Sequence, residues 1–361
     1  MPERFEYHFE PQKGWMNDPN GLIEFNGQYH AFFQHNPYAP VWGPMHWGHA
    51  VSKDLLHWEE VPIALKPEET YENSGGCFSG SAIEKDGKLY LFYTSVSKEL
   101  GQTQSVAVSE DGIHFKKYKG NPVISYFPEE GSADFRDPKV SLIDGIYYMV
   151  VGSVLNKKGR VLLYTSEDLY NWQYLGVLYE SVEYNDAIEC PDFFKLGDKY
   201  VLMYSKINYK THATQFVIGD FDGRKLIPEA YSTPEAGPQF YAPQTFESKD
   251  GRRIMIGWFY NWGRPLDEGA GFAGALSIPR ELTICNGKIY NFPVKEAQDL
   301  LKKEAPEVWC DEKKCILKNV PLENGLEYRG EITSVDILKD KKAIEVFINK
   351  GEASFSYWLS H

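Results

Sequence analysis

No run of roughly 18 apolar residues occurs in the 361-residue chain, so no segment reads as a membrane-spanning helix. The opening Met1-Pro2-Glu3-Arg4-Phe5 has neither a charged leader nor an apolar stretch, so no secretory signal is expected and a cytoplasmic location is. No Lys/Arg cluster of the kind that tracks phosphates is present, and the net charge is −13, from 38 basic and 51 acidic residues. Nucleic acid is therefore not an expected partner. A Walker loop, a dinucleotide fingerprint and a serine-nucleophile elbow are all missing. Cysteine is scarce, with five residues, an odd number without zinc-ligand spacing, so neither a metal nor another cofactor is expected. Cys77, Cys190 and Cys285 read as small buried groups. The spacing of Cys310 and Cys315 permits a bridge, but free thiols suit a reducing compartment better. Helical periodicity is almost absent from the first ~290 residues.

What is present is a repeat. Five turn glycines, Gly27, Gly87, Gly145, Gly197 and Gly251, stand 60, 58, 52 and 54 residues apart, each leading into a short apolar strand. A Ser-x-Asp marker recurs with its aspartate at 54, 111 and 168. Periods of this length signal solenoids, propellers or arrays. The intervening segments are rich in Val, Ile, Tyr and Phe and punctuated by Gly, Asp, Asn and Pro. About four short strands fit each unit, so the repeat reads as an all-β, five-bladed propeller. Aromatics make up 15% of the chain, with nine Trp and 24 Tyr, the flat faces with polar edges that sugar sites favour.

Three acids stand at nearly one phase of the repeat: Asp18, Asp137 and Glu189 precede their turn glycines by nine, eight and eight residues. In the second and fifth units that phase falls on Ser79 and on Pro243-Gln244. If the units surround an axis, the three carboxylates converge. Asp18 lies in Trp15-Met16-Asn17-Asp18-Pro19-Asn20-Gly21, where Trp15 offers an apolar wall and Asn17 an amide. Proline restricts the residue before it, so Pro19 and Pro138 are expected to hold Asp18 and Asp137 extended. Arg136 is expected to keep a buried Asp137 ionised. Glu189 is expected to face the channel while Cys190 packs behind, and a glutamic acid among apolar and carboxylate neighbours suits a general acid. His46 and His49, three apart on a strand, point to opposite faces and read as structural.

These segments, in this order, resemble glycoside hydrolase family 32, the invertase and β-fructosidase family. Phe32-Phe33-Gln34-His35-Asn36-Pro37, Trp42-Gly43 with Trp47-Gly48-His49-Ala50, and Phe78-Ser79-Gly80-Ser81 match as well. Similarity spans about residues 1–295 and looks nearest to bacterial β-fructosidases without signal peptides. The resemblance implies a five-bladed propeller followed by a β-sandwich, and a retaining hydrolase that cleaves terminal β-D-fructofuranosides of sucrose, raffinose or short fructans. By the same resemblance Asp18 would be the nucleophile, Glu189 the acid and base, and Asp137 an acceptor for ring hydroxyls in an oxocarbenium-like transition state. Trp15, Asn17, Gln34, Trp42, Phe78, Ser79, Arg136 and Trp258 would line the sugar pocket. Retention predicts the Asp18 and Glu189 carboxyls about 5–5.5 Å apart.

Three domains are expected: a propeller over 1–295, a linker helix over 296–304 and a small β-sandwich over 305–361, with a hairpin at Asn349-Lys350-Gly351. The last domain is about half the length usual in the family, which leaves a homo-oligomer open. A fructosyltransferase would use the same residues and differ in accepting a sugar in place of water. A non-catalytic sugar-binding propeller would need no paired nucleophile and acid. An arabinose- or xylose-active enzyme fits the Arg-Asp-Pro and Glu-Cys blocks less well.

Overall fold

A computed structural model describes residues 3–259, 262, 269–318 and 326–359, and the chain is all-β. Among the described residues, five antiparallel sheets follow one another in sequence, each led by one strand: Gly14–Phe25, Gly76–Lys85, Phe135–Ile143, Ile188–Leu196 and Tyr241–Glu247. The first sheet also takes up the short strand Phe272–Ala273, parallel to its leading strand.

Local chemistry explains the sheets. Asn26-Gly27, Asp86-Gly87 and Asp144-Gly145 have both residues at positive φ, the two-residue turn whose twist matches a hairpin. Asp54, Asp111 and Asp168 each accept the Ser hydroxyl two residues back and two backbone N–H groups ahead, closing the turn after the third strand. Second strands such as Lys88–Ser97 and Ile146–Leu155 are buried on both faces, because each sheet is covered by its neighbours. Their apolar runs are therefore continuous instead of alternating.

The leading strands lie side by side. Gly14–Phe25 contacts both Gly76–Lys85 and Tyr241–Glu247, and Phe135–Ile143 and Ile188–Leu196 complete the sequence of neighbours.

Beyond the fifth sheet the structure departs from expectation in two places. The run of helix formers yields only a 3₁₀ segment, Lys295–Leu300, instead of a helix through Glu304. Lys302 is bonded through its backbone to Ile337 in an isolated β bridge, which ends the helical path. Cys310 and Cys315 are cross-strand partners with Cα atoms 4.1 Å apart and are joined by a disulfide where free thiols were expected. Two three-stranded antiparallel sheets follow. The second comprises Val335–Asp340, Ala343–Ile348 and Ala353–Trp358, turning at Asn349-Lys350-Gly351. Its central strand is buried on both faces: Ile344, Val346 and Ile348 join one core, and Phe347 packs into the core beneath the first and fifth sheets.

Candidate active site

Every leading strand is interrupted by the same irregularity. Two of its residues oppose one on the second strand at Asn17-Asp18, Phe78-Ser79, Asp137-Pro138, Cys190-Pro191 and Ala242-Pro243. Such a bulge re-aims side chains and leaves its own polar groups unpaired. The bulge also corrects the expected phase. Asp18 is its second residue, Asp137 its first, and Glu189 stands just before it. The three acids come from three successive positions, and the bend brings them together. Nor is Asp137 held extended by Pro138: its φ is +65°, and Cys190 and Ala242, each before a proline, have φ +47° and +46°. The bulge overrides the usual preference of a residue before proline.

Cys190 does not pack behind Glu189 but sits between the other two acids. Its thiol lies 3.5 Å from Asp18 Oδ2 and 3.6 Å from Asp137 Oδ2, and its N–H donates to Asp137 Oδ2 at 2.8 Å. The left-handed backbone at Cys190 turns both groups inward.

Neutral donors hold Asp18. Ser79 Oγ donates to its Oδ2 at 2.7 Å and Asn17 Nδ2 to its Oδ1 at 3.0 Å, while Trp15 Nε1 fixes Asn17 through a 2.7 Å bond to Oδ1. Burial pushes the Asp18 pKa up, and Glu189 adds to the rise, while the Ser79, Asn17 and Cys190 hydrogen bonds oppose it. Asp137 is pushed up to about 7, first by burial and then by Glu189 and Asp18. Arg136 opposes that rise without cancelling it. The guanidinium is directed elsewhere: Nη2 lies 3.1 Å and Nε 3.3 Å from Glu189 Oε1, and Nη1 2.7 Å from Asp134. Tyr241 Oη donates to Glu189 Oε2 at 2.5 Å.

The remaining expected residues differ in their access. Gln34 is buried and donates to the Cys77 carbonyl at 3.0 Å. Phe78 accepts from the Trp47 indole through its carbonyl at 2.9 Å and meets Trp42 edge-on, with ring centres 6.2 Å apart. Trp42 is 48% exposed and stands at the rim. Trp258 is fully buried and packs edge-on behind Trp15, so it supports the wall and presents no surface of its own. His46 and His49 are apart as expected, bonded to the Pro44 carbonyl and to His30.

Sequence reasoning missed Tyr241, the Cys190 thiol, Thr94 and Trp262. Thr94 accepts the Asp137 N–H at 2.9 Å, and Trp262 stacks on Trp15 with centres 5.3 Å apart. Tyr241 stands just before its bulge, the place that Arg136 and Glu189 hold in their own strands. Aligning the chain on bulges would have found it.

A trio of carboxyls so arranged, one held by neutral donors and one by a guanidinium and a phenol, suits bond cleavage by a nucleophile and a proton donor. Comparison with known proteins agrees with the geometry. The sequence profile of Glycosyl hydrolases family 32 N-terminal domain matches residues 8–293. A sucrose-6-phosphate hydrolase of Escherichia coli is 36% identical over 423 aligned residues, more than this chain's own 361, and the match covers 97% of this chain and 88% of the relative. A raffinose invertase of Escherichia coli is 39% identical over 83% of this chain, which spans 66% of that protein's length. A Bombyx mori GH32 beta-fructofuranosidase, solved as a mutant in complex with sucrose, superposes with a TM-score of 0.87 at 35% identity, covering 99% of this chain and 89% of its own.

Proposed function

The chain belongs to glycosyl hydrolase family 32, and from that membership we propose a retaining β-fructofuranosidase acting on sucrose, raffinose and short fructans. Asp18 attacks the anomeric carbon of the fructosyl unit while Glu189 gives its proton to the departing glycosidic oxygen. The free sugar leaves and a fructosyl ester remains on Asp18. Glu189 then takes a proton from water, whose oxygen attacks the same carbon, and fructose and the Asp18 carboxylate are released. Asp137 accepts hydrogen bonds from ring hydroxyls, which strengthen as positive charge develops. Trp15, Asn17, Gln34, Trp42, Phe78 and Arg136 form the walls around the fructosyl unit, with Trp258 behind them.

The observation that carries this reading is the Cys190 thiol shared by Asp18 and Asp137, with Glu189 adjacent and clamped by Arg136 and Tyr241. We read the five sheets as blades of one propeller over 1–295. A linker over 296–304 and a shortened sandwich over 305–361 follow, in a cytoplasmic protein. The alignment that outruns the chain's length supports the shortening.

The test is incubation with sucrose, sucrose 6-phosphate, raffinose, inulin and levan, with products separated by chromatography. Free fructose is expected from at least the first three. Trisaccharides accumulating at high sucrose would make the protein a transferase, and no fructose from any substrate ends the proposal. Replacing Glu189→Gln should lower turnover by ~10²–10⁴-fold with little loss of stability. A variant that keeps most of its activity removes Glu189 from the proton-transfer role.

A further inference from the structure

The second sheet grips the backbone that carries Asp137. Four of its side chains bond the leading strand of the third sheet. Gln102 Oε1 accepts the Phe135 N–H at 2.7 Å, and Gln104 Nε2 donates to the Phe135 carbonyl at 2.8 Å. Thr94 Oγ1 accepts the Asp137 N–H at 2.9 Å, and Ser81 Oγ donates to the Pro138 carbonyl and accepts the Val140 N–H, each at 2.9 Å. All five backbone groups lie within two residues of the Asp137-Pro138 bulge. A bulge leaves polar groups outside the ladder, and they must find partners elsewhere. A left-handed residue other than glycine, such as Asp137 at φ +65°, persists only where its surroundings over-determine it.

Gln104 orders this grip. Thr94 and Gln104 face each other on neighbouring strands, both completely buried, and the Thr94 hydroxyl gives its one hydrogen to Gln104 Oε1 at 2.8 Å. With that hydrogen committed, the Thr94 oxygen keeps a lone pair for the Asp137 N–H. The Gln104 amide cannot reverse, because Oε1 would then face the Phe135 carbonyl, and both are acceptors. A free hydroxyl rotates, whereas one tied to a fixed amide does not. The amide bonds of Gln104 go to Thr94 and Phe135, so it reaches Asp137 only through them.

We propose that Gln104, acting through Thr94, is a positioning residue for Asp137: it holds the left-handed backbone that aims the carboxyl at the hydroxyls of the fructosyl ring. The proposal rests on the fructosidase reading, in which the hydrogen bonds to Asp137 strengthen as positive charge develops. An interaction realised mainly in the transition state shows in kcat more than in KM. Loosening the grip therefore lowers kcat and leaves KM nearly unchanged.

The experiment is a double-mutant cycle on the full chain, with kcat and KM measured on sucrose. Thr94→Val is isosteric and removes the acceptor, Gln104→Met keeps the bulk and removes the amide, and Thr94→Ser keeps the hydroxyl. The first two are expected to lower kcat ~10-fold or more with KM within about twofold, and Thr94→Ser to stay within about threefold of the wild type. Each of the first two is then combined with Asp137→Asn, which removes the carboxylate whose placement is at stake. In that background either change should cost less than about twofold more. Equal losses in both backgrounds, or no loss in the wild-type background, overturn the proposal. Circular dichroism checks the fold, and if neither Thr94→Val nor Gln104→Met folds, the grip is structural and the proposal fails. If the wild-type chain cleaves no fructoside, the fructosidase reading fails and hydrogen exchange at the Asp137 N–H decides. Protection lowered ~10-fold by Gln104→Met then upholds the control of Asp137 by Gln104, and unchanged protection rejects it.

Discussion

Burial sets the ionisation of this site before any sugar arrives. Asp137 has its pKa raised to about 7 from an ordinary 3.8. Between those values the folded chain keeps a proton that the unfolded chain has released, so stability falls as pH rises through that window. Asp137→Asn removes the titration but keeps an acceptor for the Cys190 N–H. It should lose activity yet melt a few degrees above the wild type at about pH 8, with the difference gone at about pH 4. Melts that coincide at both pH values would refute the burial argument. Asp18 is a milder case, because the Ser79 and Asn17 donors offset part of its rise. Removing one donor with Ser79→Ala lets the Asp18 pKa climb further. The acid limb of the pH profile of kcat/KM should move to higher pH, with ~10-fold loss on that limb and recovery above it. An unmoved limb would mean that some group other than Asp18 governs it.

The element that builds the site is the bulge, and it marks where the sequence stopped being legible. Turn glycines and the Ser-x-Asp marker are local signals, because each turn's chemistry lies within three or four residues, and they are enough to count five units. The convergence of Asp18, Asp137 and Glu189 could also be read, since repeated units bring like positions together. Their true offsets could not, because a two-against-one mismatch is visible only when the partner strand is known. Cys190 and Tyr241 escaped for the same reason. Ala242 isolates the bulge from the chemistry: it occupies the first bulge position of the fifth sheet at φ +46°, next to Tyr241, and is fully buried. Glycine tolerates that backbone and a β-branched residue does not. Ala242→Gly should keep full turnover. Ala242→Val should cost about 1–3 kcal/mol and lower kcat by at least ~10-fold as Tyr241 shifts off Glu189. Denaturant midpoints and kcat measured side by side check it, and an active, stable valine variant would show that the bulge does not position the acid.

At the scale of the whole molecule, the last sheet is fastened to the fifth by a buried charge cluster. Arg280 is completely buried, with Nη1 2.5 Å from Glu235 and 2.7 Å from Asn291, and Nη2 3.0 Å from Glu345 and 2.6 Å from Ser356. Phe240 and Phe347 lie 4.5 and 4.9 Å from the guanidinium carbon, on ring centres. His8 adds the amino-terminal segment, 3.0 Å from Asp340 and 3.1 Å from Glu345, and these partners outweigh burial to raise its pKa to about 9. Residues 8, 235, 280, 340 and 345 form no local pattern, so sequence periodicity could not reveal the joint. His8 contributes stability in full below its ordinary 6.5 and loses it as pH rises through about 9. A His8→Gln variant should therefore lose less stability than the wild type between about pH 6 and about pH 10. Arg280→Met keeps the bulk but leaves Glu235 and Glu345 buried without their guanidinium, which should cost about 3–5 kcal/mol. The segment from Glu235 leads directly into Tyr241, so the same change should also lower turnover, although Arg280 touches none of the three acids. Denaturation followed by tryptophan fluorescence and by activity should then give one shared midpoint, shifted to lower denaturant. Two separate midpoints would mean that the last sheet unfolds alone and that the cluster does not couple it to the site.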